Sequence, residues 1–582
     1  MTPVIDPRRG DIEDDASSTK RRSLLSLAGS LLVEISLPKL ILSWTMLFAV
    51  PGLLLGLTPV VASAWIRLVS HKITSPLLGV WPALLFAMLL AVGLFGVRSL
   101  FRMAESSFWS LNSLAVEPVY VACREGLRHL VERLLQSRLD KSQLARLRAG
   151  TAGAAGIIIF AVAVAVLLAC WPSSRWLASF IDLASPRDLV AIAVANSVVL
   201  VAAYLAVAAL VWAFADATMH QPQDFGDFSA SPDDARMWRV AHLSDIHVVG
   251  ERYGFRIESG RAGPQGNDRL SRLLKLLDVT HADNPLDIIL ITGDLTDAGR
   301  SAEWSELLEA LAAYPRLAER ILILPGNHDL NIVDRANPAR LDLPTSPNRK
   351  LRRLRFLSAV HALHGERVRL IDQTRRCLAG SLSESLKPYR AEIAKFAETG
   401  RPRLSRKLNE LWAAVFPMVL PPDSDEGLGI ILLDSNADTH FSFTNALGMI
   451  SAEQMNGIEI AAAQYPRACW IIALHHHVVE YPKAAKVLSE RIGTALVNGN
   501  WFVRRLQALG SRAILMHGHR HIDWIGKCAG LSIISAPSPV MEATEDADTH
   551  FYIHTLAARN CGELSLLAPE RVVVPARSKA AG

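Results

Sequence analysis

Aspartate, asparagine and histidine recur in five short clusters through the second half of the chain, each just after a short apolar run. Ser244-Asp245-Ile246-His247 comes first, Gly293-Asp294-Leu295-Thr296-Asp297 second and Pro325-Gly326-Asn327-His328-Asp329 third. His475-His476-His477 and His517-Gly518-His519-Arg520-His521 complete the series. Carboxylate, carboxamide and imidazole are hard-to-borderline donors that suit first-row divalent cations, and the set is large enough for two of them. Two cations about 3.5–4 Å apart lower the pKa of a water between them and clamp a phosphate for in-line attack. Singly, each cluster has a bland reading: a His triplet is a solvated turn, and GNHD is a turn whose Asp caps the next helix. Their joint occurrence is what argues for a site. No Walker loop, dinucleotide fingerprint or Gly-x-Ser-x-Gly elbow accompanies them, which sets aside NTPase, dehydrogenase and serine hydrolase chemistry.

The elements that must position these residues are legible around them. Short apolar runs occupy Arg239–Leu243, Asp287–Ile291, Ile321–Leu324, Gly429–Leu433, Trp470–Leu474, Arg512–Met516 and Leu531–Ser535. They are too short for helices and read as strands buried on both faces. Asn267–Leu277 and Ala302–Leu311 carry the helical period of covering helices. This predicts an α/β sandwich with its chemistry just past the strand C-termini.

With these clusters in this order, the chain resembles the calcineurin-like metallophosphoesterases, whose pattern is D-x-H, GD-x-x-D, GNH-D/E, H and GH-x-H. The wording GDLTDAG, LPGNHD and Leu432-Leu433-Asp434-Ser435 looks most like the cyclic-nucleotide phosphodiesterase branch. The resemblance covers about 238–555 and implies a four-layer αββα sandwich that uses two divalent metal ions, manganese, iron or zinc. It further implies that Asp245, His247 and His521 hold the first metal, that Asp294 bridges, and that Asn327, His519 and one His of the triplet hold the second. Val478 replaces the proline of the family's H-x-P; the register favours His476, with His475 the alternative. His328 is expected to face the phosphate, as transition-state stabiliser or proton donor. Asp297 is expected to orient the His328 ring, or else to cap a helix. Arg520 is divided between phosphate contact and the rim. The implied reaction is attack by metal-activated hydroxide on a phosphodiester or phosphomonoester.

The connection after GNHD is long, about 330–428, and Asn348–His364 and Leu386–Trp412 have helical spacing, which predicts a helical lid. Arg349, Lys350, Arg352, Arg353, Arg355, Arg367, Arg369, Arg375 and Arg376 make it basic. That charge is either a solvated face or a surface for anionic headgroups or a polyanionic substrate. His361 and His364 within it are read as structural.

The first part of the chain has a different texture. Leu40–Ile66, Ile73–Val97, Ala149–Ser174 and Leu189–Ala215 are 25 to 27 residues long and free of Asp, Glu, Lys and Arg. Each can cross a bilayer, so an all-α transmembrane region of four helices is predicted over 40–215. Before it lies a tail, 1–39. Arginine and lysine concentrate in that tail and between the second and third spans, which puts both termini in the cytoplasm of an inner-membrane protein. Leu127–Arg148 reads as a helix on the bilayer surface. A polar linker, 216–237, leads to the phosphoesterase region, 238–567, and to a loose tail, 568–582. The composition agrees: mean hydropathy is +0.23, charged residues are 20% and the formal net charge is only +5. A nucleic-acid partner carried by global charge is not expected. The six scattered cysteines read as thiols.

The expected partners are therefore a phosphate-ester substrate and the lipid bilayer. A cyclic nucleotide or other small diester is favoured by the motif wording, and a phospholipid-type headgroup or lipid pyrophosphate by the anchor and basic lid. A non-catalytic sensor or scaffold that binds a phosphorylated ligand is the reading of a different class.

Overall fold

The computed structural model describes residues 49–74, 117–135, 141–177, 186–226, 236–251, 254–260, 263–334, 348–399, 402–439, 442–482, 496–541, 546–558 and 563–576, with a few isolated positions between. The chain divides into two compact units, and the described residues of the first lie within Ser36–Met219 and those of the second within His220–Ala485 and Gly493–Gly582.

The first unit contains four described helices: α1 (Val50–Thr74), α2 (Glu117–Leu135), α3 (Lys141–Cys170) and α4 (Pro186–Ala217). Among the described residues two helices are long and apolar enough to cross a membrane, Gln143–Ser173 and Arg187–Ala217, with mean hydropathies of 2.7 and 2.5. Of the expected first span only the part in α1 is described, where the apolar stretch is Val50–Ala64; the expected span Ile73–Val97 lies almost wholly outside the described residues. Helices α3 and α4 leave large apolar side chains such as Ile157, Leu168, Val207 and Phe214 exposed. They meet instead through small residues. A Cβ at Gly156 would lie 2.2 Å from the Ala213 Cβ, and one at Gly56 of α1 would lie 1.7 Å from the Ala193 carbonyl oxygen of α4. Close backbone approach through small residues is how helices associate where lipid removes the hydrophobic drive. The expected surface helix Leu127–Arg148 is divided between two elements, because α2 ends at Leu135 and α3 begins at Lys141. Arg128, Glu132 and Arg148 in it are buried, with Arg148 donating to Glu132 (2.9 Å) and Arg128 to Glu125 (2.8 Å), whereas Arg133 and Arg146 are exposed; nearby, Tyr120 of α2 donates to Asp216 of α4 (3.0 Å).

In the second unit the strands are β1 (Gln223–Asp224), β2 (Arg236–Leu243), β3 (Ile288–Ile291), β4 (Ile321–Ile323), β5 (Arg369–Asp372), β6 (Cys377–Ser381), β7 (Met418–Leu420), β8 (Leu428–Leu432), β9 (Cys469–Ala473), β10 (Ala513–His517), β11 (Trp524–Cys528), β12 (Leu531–Ser535), β13 (Thr549–Ala558), β14 (Leu564–Leu566) and β15 (Glu570–Val574). One sheet runs β1-β11-β12-β10-β9-β8-β7-β5-β6 and the other β14-β13-β2-β3-β4, with β15 beside β13. Both are mixed. β2, β3 and β4 are parallel, as are β8, β9, β10 and β12. Their central strands are the runs of Ile, Leu and Val seen in the sequence, and the two sheets share one buried core.

Helices α5 (Asp268–Asp283), α6 (Ser301–Ala312), α7 (Asn327–Leu330), α8 (Asn348–His364), α9 (Leu382–Leu386), α10 (Arg390–Thr399), α11 (Pro402–Val415), α12 (Ala452–Gln464) and α13 (Gly499–Leu506) fill the connections. Two features differ from expectation. The long connection after GNHD is not helical throughout, because β5, β6 and β7 lie in it and extend the nine-stranded sheet. The expected linker is partly structured, with Gln223 and Asp224 pairing antiparallel to Lys527 and Gly526 of β11. Trp524 Nε1 donates to Asp224 (3.0 Å), fixing that short strand.

Candidate metal centre

The site begins where parallel pairing continues past the strands. Beyond β2 and β3 the amides of Asp245, His247 and Val248 donate to the carbonyls of Gly293, Asp294 and Leu295 at 2.8–3.0 Å. This zipper lays Asp-x-His alongside Gly-Asp. Beyond β9 and β10 the amide of Gly518 donates to the His475 carbonyl (3.1 Å), joining the triplet to GHxH. Asp245, His247, Asp294, His519 and His521 all have left-handed backbone, with φ between 48° and 75°. Such φ values are uncommon for residues other than glycine and cluster at functional sites. Gly326 has a different necessity, since a Cβ there would lie 2.1 Å from Asp294 Oδ1.

Among the described residues three groups of donors have ligand atoms within 4.8 Å of one another: Asp245, His247 and His521; Asp294, His475 and His519; and His247, Asp297 and His328. Asp294 joins the first two: its Oδ2 is 3.7 Å from His247 Nε2 and 3.2 Å from His475 Nε2, while its Oδ1 accepts the His328 amide at 2.8 Å. His475 Nε2 is also 3.1 Å from Asn327 Oδ1 and 3.1 Å from His519 Nδ1. His247 Nε2 and His519 Nε2 are buried and make no hydrogen bond. Buried imidazole nitrogens left without a protein partner beside two carboxylates fit divalent cations.

Electrostatics follow from this crowding. Burial pushes the Asp245 carboxyl up, but His521 at 3.2 Å pulls it down to about 2. Burial disfavours the His475 imidazolium, yet Asp294 and Asp245 raise its pKa to about 9. Burial and neighbouring histidines hold His247 and His519 well below the usual range, as neutral rings suited to ligation.

The triplet is resolved by hydrogen bonds. His475 Nδ1 is 2.8 Å from the Thr292 carbonyl, which aims Nε2 into the donor cluster. His476 Nδ1 is 2.8 Å from the Ser435 hydroxyl. His477 Nε2 lies 3.6 Å from Glu480. The geometry thus brings His475 into the cluster, where the register had favoured His476. Thr292 carried no motif, and Ser435, though part of the Leu432-Leu433-Asp434-Ser435 wording, carried no mark of this role.

The family model for calcineurin-like phosphoesterases matches residues 239–523. The chain carries a calcineurin-like phosphoesterase domain. That domain is the one of metal-dependent phosphoric ester hydrolases. One curated relative, a probable cyclic nucleotide phosphodiesterase of Coxiella burnetii, is 28% identical over 103 residues, which are 18% of this chain and 36% of the relative. The match therefore spans about a third of that relative. Among solved structures, a dimetal phosphatase from Danio rerio is similar at 12% identity and a TM-score of 0.33, covering 58% of this chain and 99% of the other. A purple acid phosphatase from yellow lupin is similar at 12% identity and a TM-score of 0.26, covering 57% and 51%.

Within the phosphoesterase domain, His328 packs edge-to-face on His247 with ring centroids 4.4 Å apart. Its Nδ1 is 2.7 Å from the backbone carbonyl of Asp297. The Asp297 carboxylate has an oxygen within 4.8 Å of a His328 ring nitrogen, accepts the Ile257 amide (2.9 and 3.1 Å) and lies 3.5 Å from His247 Nδ1. Asp297 therefore holds the His328 ring through its backbone carbonyl, while its side chain lies beside His247 Nδ1, which makes no hydrogen bond. Asp329 accepts from Thr296 N (2.9 Å), Thr296 Oγ1 (2.7 Å) and Gly326 N (2.9 Å), tying two site loops together. Arg520 is half-buried, with its guanidinium 3.5 Å from Glu480 and over the Tyr481 ring.

The basic lid is largely spent internally. Arg349 donates to the carbonyls of Ala437 and Thr439, Arg352 to Leu330 O and Asp342, Arg353 to Asp438, and Arg355 to Gly299 O. His361 and His364 lie in the core, away from the donor cluster; His364 Nε2 accepts the Ile323 amide at 3.1 Å.

Proposed function

We propose that the protein is a membrane-anchored two-metal phosphoesterase whose preferred substrate is a small phosphodiester of the cyclic-nucleotide type. The observation that carries this reading is the pair of donor groups, Asp245–His247–His521 and Asp294–His475–His519, joined through Asp294. Asp245, His247 and His521 would hold one cation and Asn327, His475 and His519 the other, with Asp294 between. Bound there, the cations supply Lewis-acid activation of the phosphoryl group and of the attacking water. His328 then presents Nε2 to the phosphate, because its Nδ1 donates to the Asp297 carbonyl. A protonated Nε2 stabilises the developing charge and can pass its proton to the leaving oxygen. The four-layer αββα arrangement is part of this reading.

The apolar helices α3 and α4 support anchoring as a multi-pass protein of the inner membrane, with the phosphoesterase domain on the cytoplasmic side. They also favour a second reading, a lipid headgroup or lipid pyrophosphate as substrate. The internal pairing of Arg349, Arg352, Arg353 and Arg355 weighs against it, while Arg375 and Arg376 stay exposed and could still meet an anionic headgroup. A non-catalytic metal-bound sensor would be the outcome of a failed turnover test. That test uses the full chain in detergent micelles, loaded with manganese, on an aryl phosphodiester and an aryl phosphomonoester beside Asp294→Asn. Diester hydrolysis abolished by the substitution supports the proposal. Turnover confined to lipid vesicles favours the lipid reading, and manganese binding without turnover on any of these substrates favours the sensor.

A further inference from the structure

The group that faces His328 Nε2 is Glu258, with its Oε1 3.6 Å away. No cluster found in the sequence contains Glu258; it comes from the connection between β2 and α5. That connection is anchored on both sides of the residue. Arg256, fully buried, donates to the carbonyls of Pro264 (2.8 Å) and Gly266 (3.0 Å). Ile257 gives its amide to the Asp297 carboxylate and its side chain to a buried cluster with Ala298 and Val333. Glu258 is therefore held by its predecessor to the same aspartate that orients His328. Its own side chain is 31% exposed, whereas that of His328 is 4% exposed.

We propose that Glu258 is a specificity-determining residue that biases the site toward monoanionic phosphodiesters and against dianionic phosphomonoesters. The proposal rests on the phosphoesterase reading and names the charge class that the site takes. A phosphate reaching His328 Nε2 must lie within a few ångströms of the Glu258 carboxylate. The second negative charge of a monoester meets that carboxylate in a half-excluded environment, where like charges repel appreciably. A diester carries only one charge and has an ester arm in place of the second oxyanion. Partial exposure of Glu258 screens the effect, so a discrimination of about tenfold is expected rather than the larger figure of a buried pair.

The test reads binding apart from turnover. The full chain in detergent micelles, loaded with manganese, is titrated calorimetrically at about pH 8.5 with phenylphosphonate, a dianion, and with its monomethyl ester, a monoanion. In Glu258→Gln the dianion should bind about tenfold tighter, equivalent to about 1.4 kcal/mol, and the monoanion should change by less than about twofold. The monoester-to-diester ratio of kcat/KM should rise by a similar factor. An equal change for both ligands, or none for either, would overturn the proposal; manganese stoichiometry and thermal midpoint show that the isosteric variant is folded. A chain that discriminates the two ligands in this way yet hydrolyses neither ester would refute turnover while leaving the role of Glu258 intact.

Discussion

His475 and His476 are adjacent, fully buried and chemically identical, yet two different oxygens hold their rings. Thr292 O takes Nδ1 of the first and Ser435 Oγ that of the second. His475→Ala is expected to lower manganese content toward one ion per chain by elemental analysis and to reduce kcat/KM by at least about a hundredfold. His476→Ala is expected to keep both ions while losing thermal stability. His328→Ala should retain metal and lose about 10²–10⁴ in kcat, measured on the aryl diester. This is also the scale at which the sequence is most and least informative. Asp245, His247, Asp294, Asn327, His519 and His521 could be named because their clusters follow apolar runs and, taken together, resemble the pattern of a known family. The triplet could not be resolved, because its partners lie on other loops that no local spacing reports. Glu258 was invisible for a related reason: a lone glutamate in a polar connection has no pattern, and only the Ile257–Asp297 bond brings it to the site.

Among the elements, α8 bears directly on the catalytic loop. Arg355 donates to Gly299 O at 3.0 Å and Arg352 to Leu330 O at 2.9 Å, so one helix grips the loops on both sides of His328. Arg355→Met should leave the Gly299 carbonyl unsatisfied and cost about 1–3 kcal/mol, read as a lower thermal midpoint, with kcat falling more than KM rises. The end of the same helix carries a pH dependence. Burial, and then Arg367, lower the His364 pKa from the usual 6.5 to about 3. The unfolded chain takes up a proton near pH 6.5 while the folded ring stays neutral, so stability is full above that pH and declines as pH falls toward about 3. A glutamine in place of this histidine cannot titrate but can accept the Ile323 amide. His364→Gln should therefore lose about 2 kcal/mol less than the parent between about pH 6.5 and 5, followed by chemical denaturation. The strands that carry the site could be read from their continuous apolar runs, and Asn348–His364 from its period. β5, β6 and β7 could not, because strands of three to five residues, two of them largely half-exposed, are too short to show either signal.

At the scale of the whole molecule, composition already separated an apolar part from an α/β part, while the meaning of its charges emerged only from packing. Arg349, Arg352, Arg353 and Arg355, which read as a basic surface, are held by carbonyls and carboxylates within the fold, and Arg148 of α3 pairs with Glu132 of α2. The small-residue contact of α3 with α4 gives this part of the chain its own test. Gly156→Leu should lower the detergent-resistant thermal midpoint, since its side chain would enter the space of Ala213, while manganese content stays unchanged. The left-handed backbone at Asp245, His247, Asp294, His519 and His521 reaches further, into ancestry. Each of those side chains is kept at a conformational cost that glycine or asparagine would relieve. A lineage released from catalysis would gain stability by giving them up, so its drift should begin at these five positions and spare the apolar strands behind them.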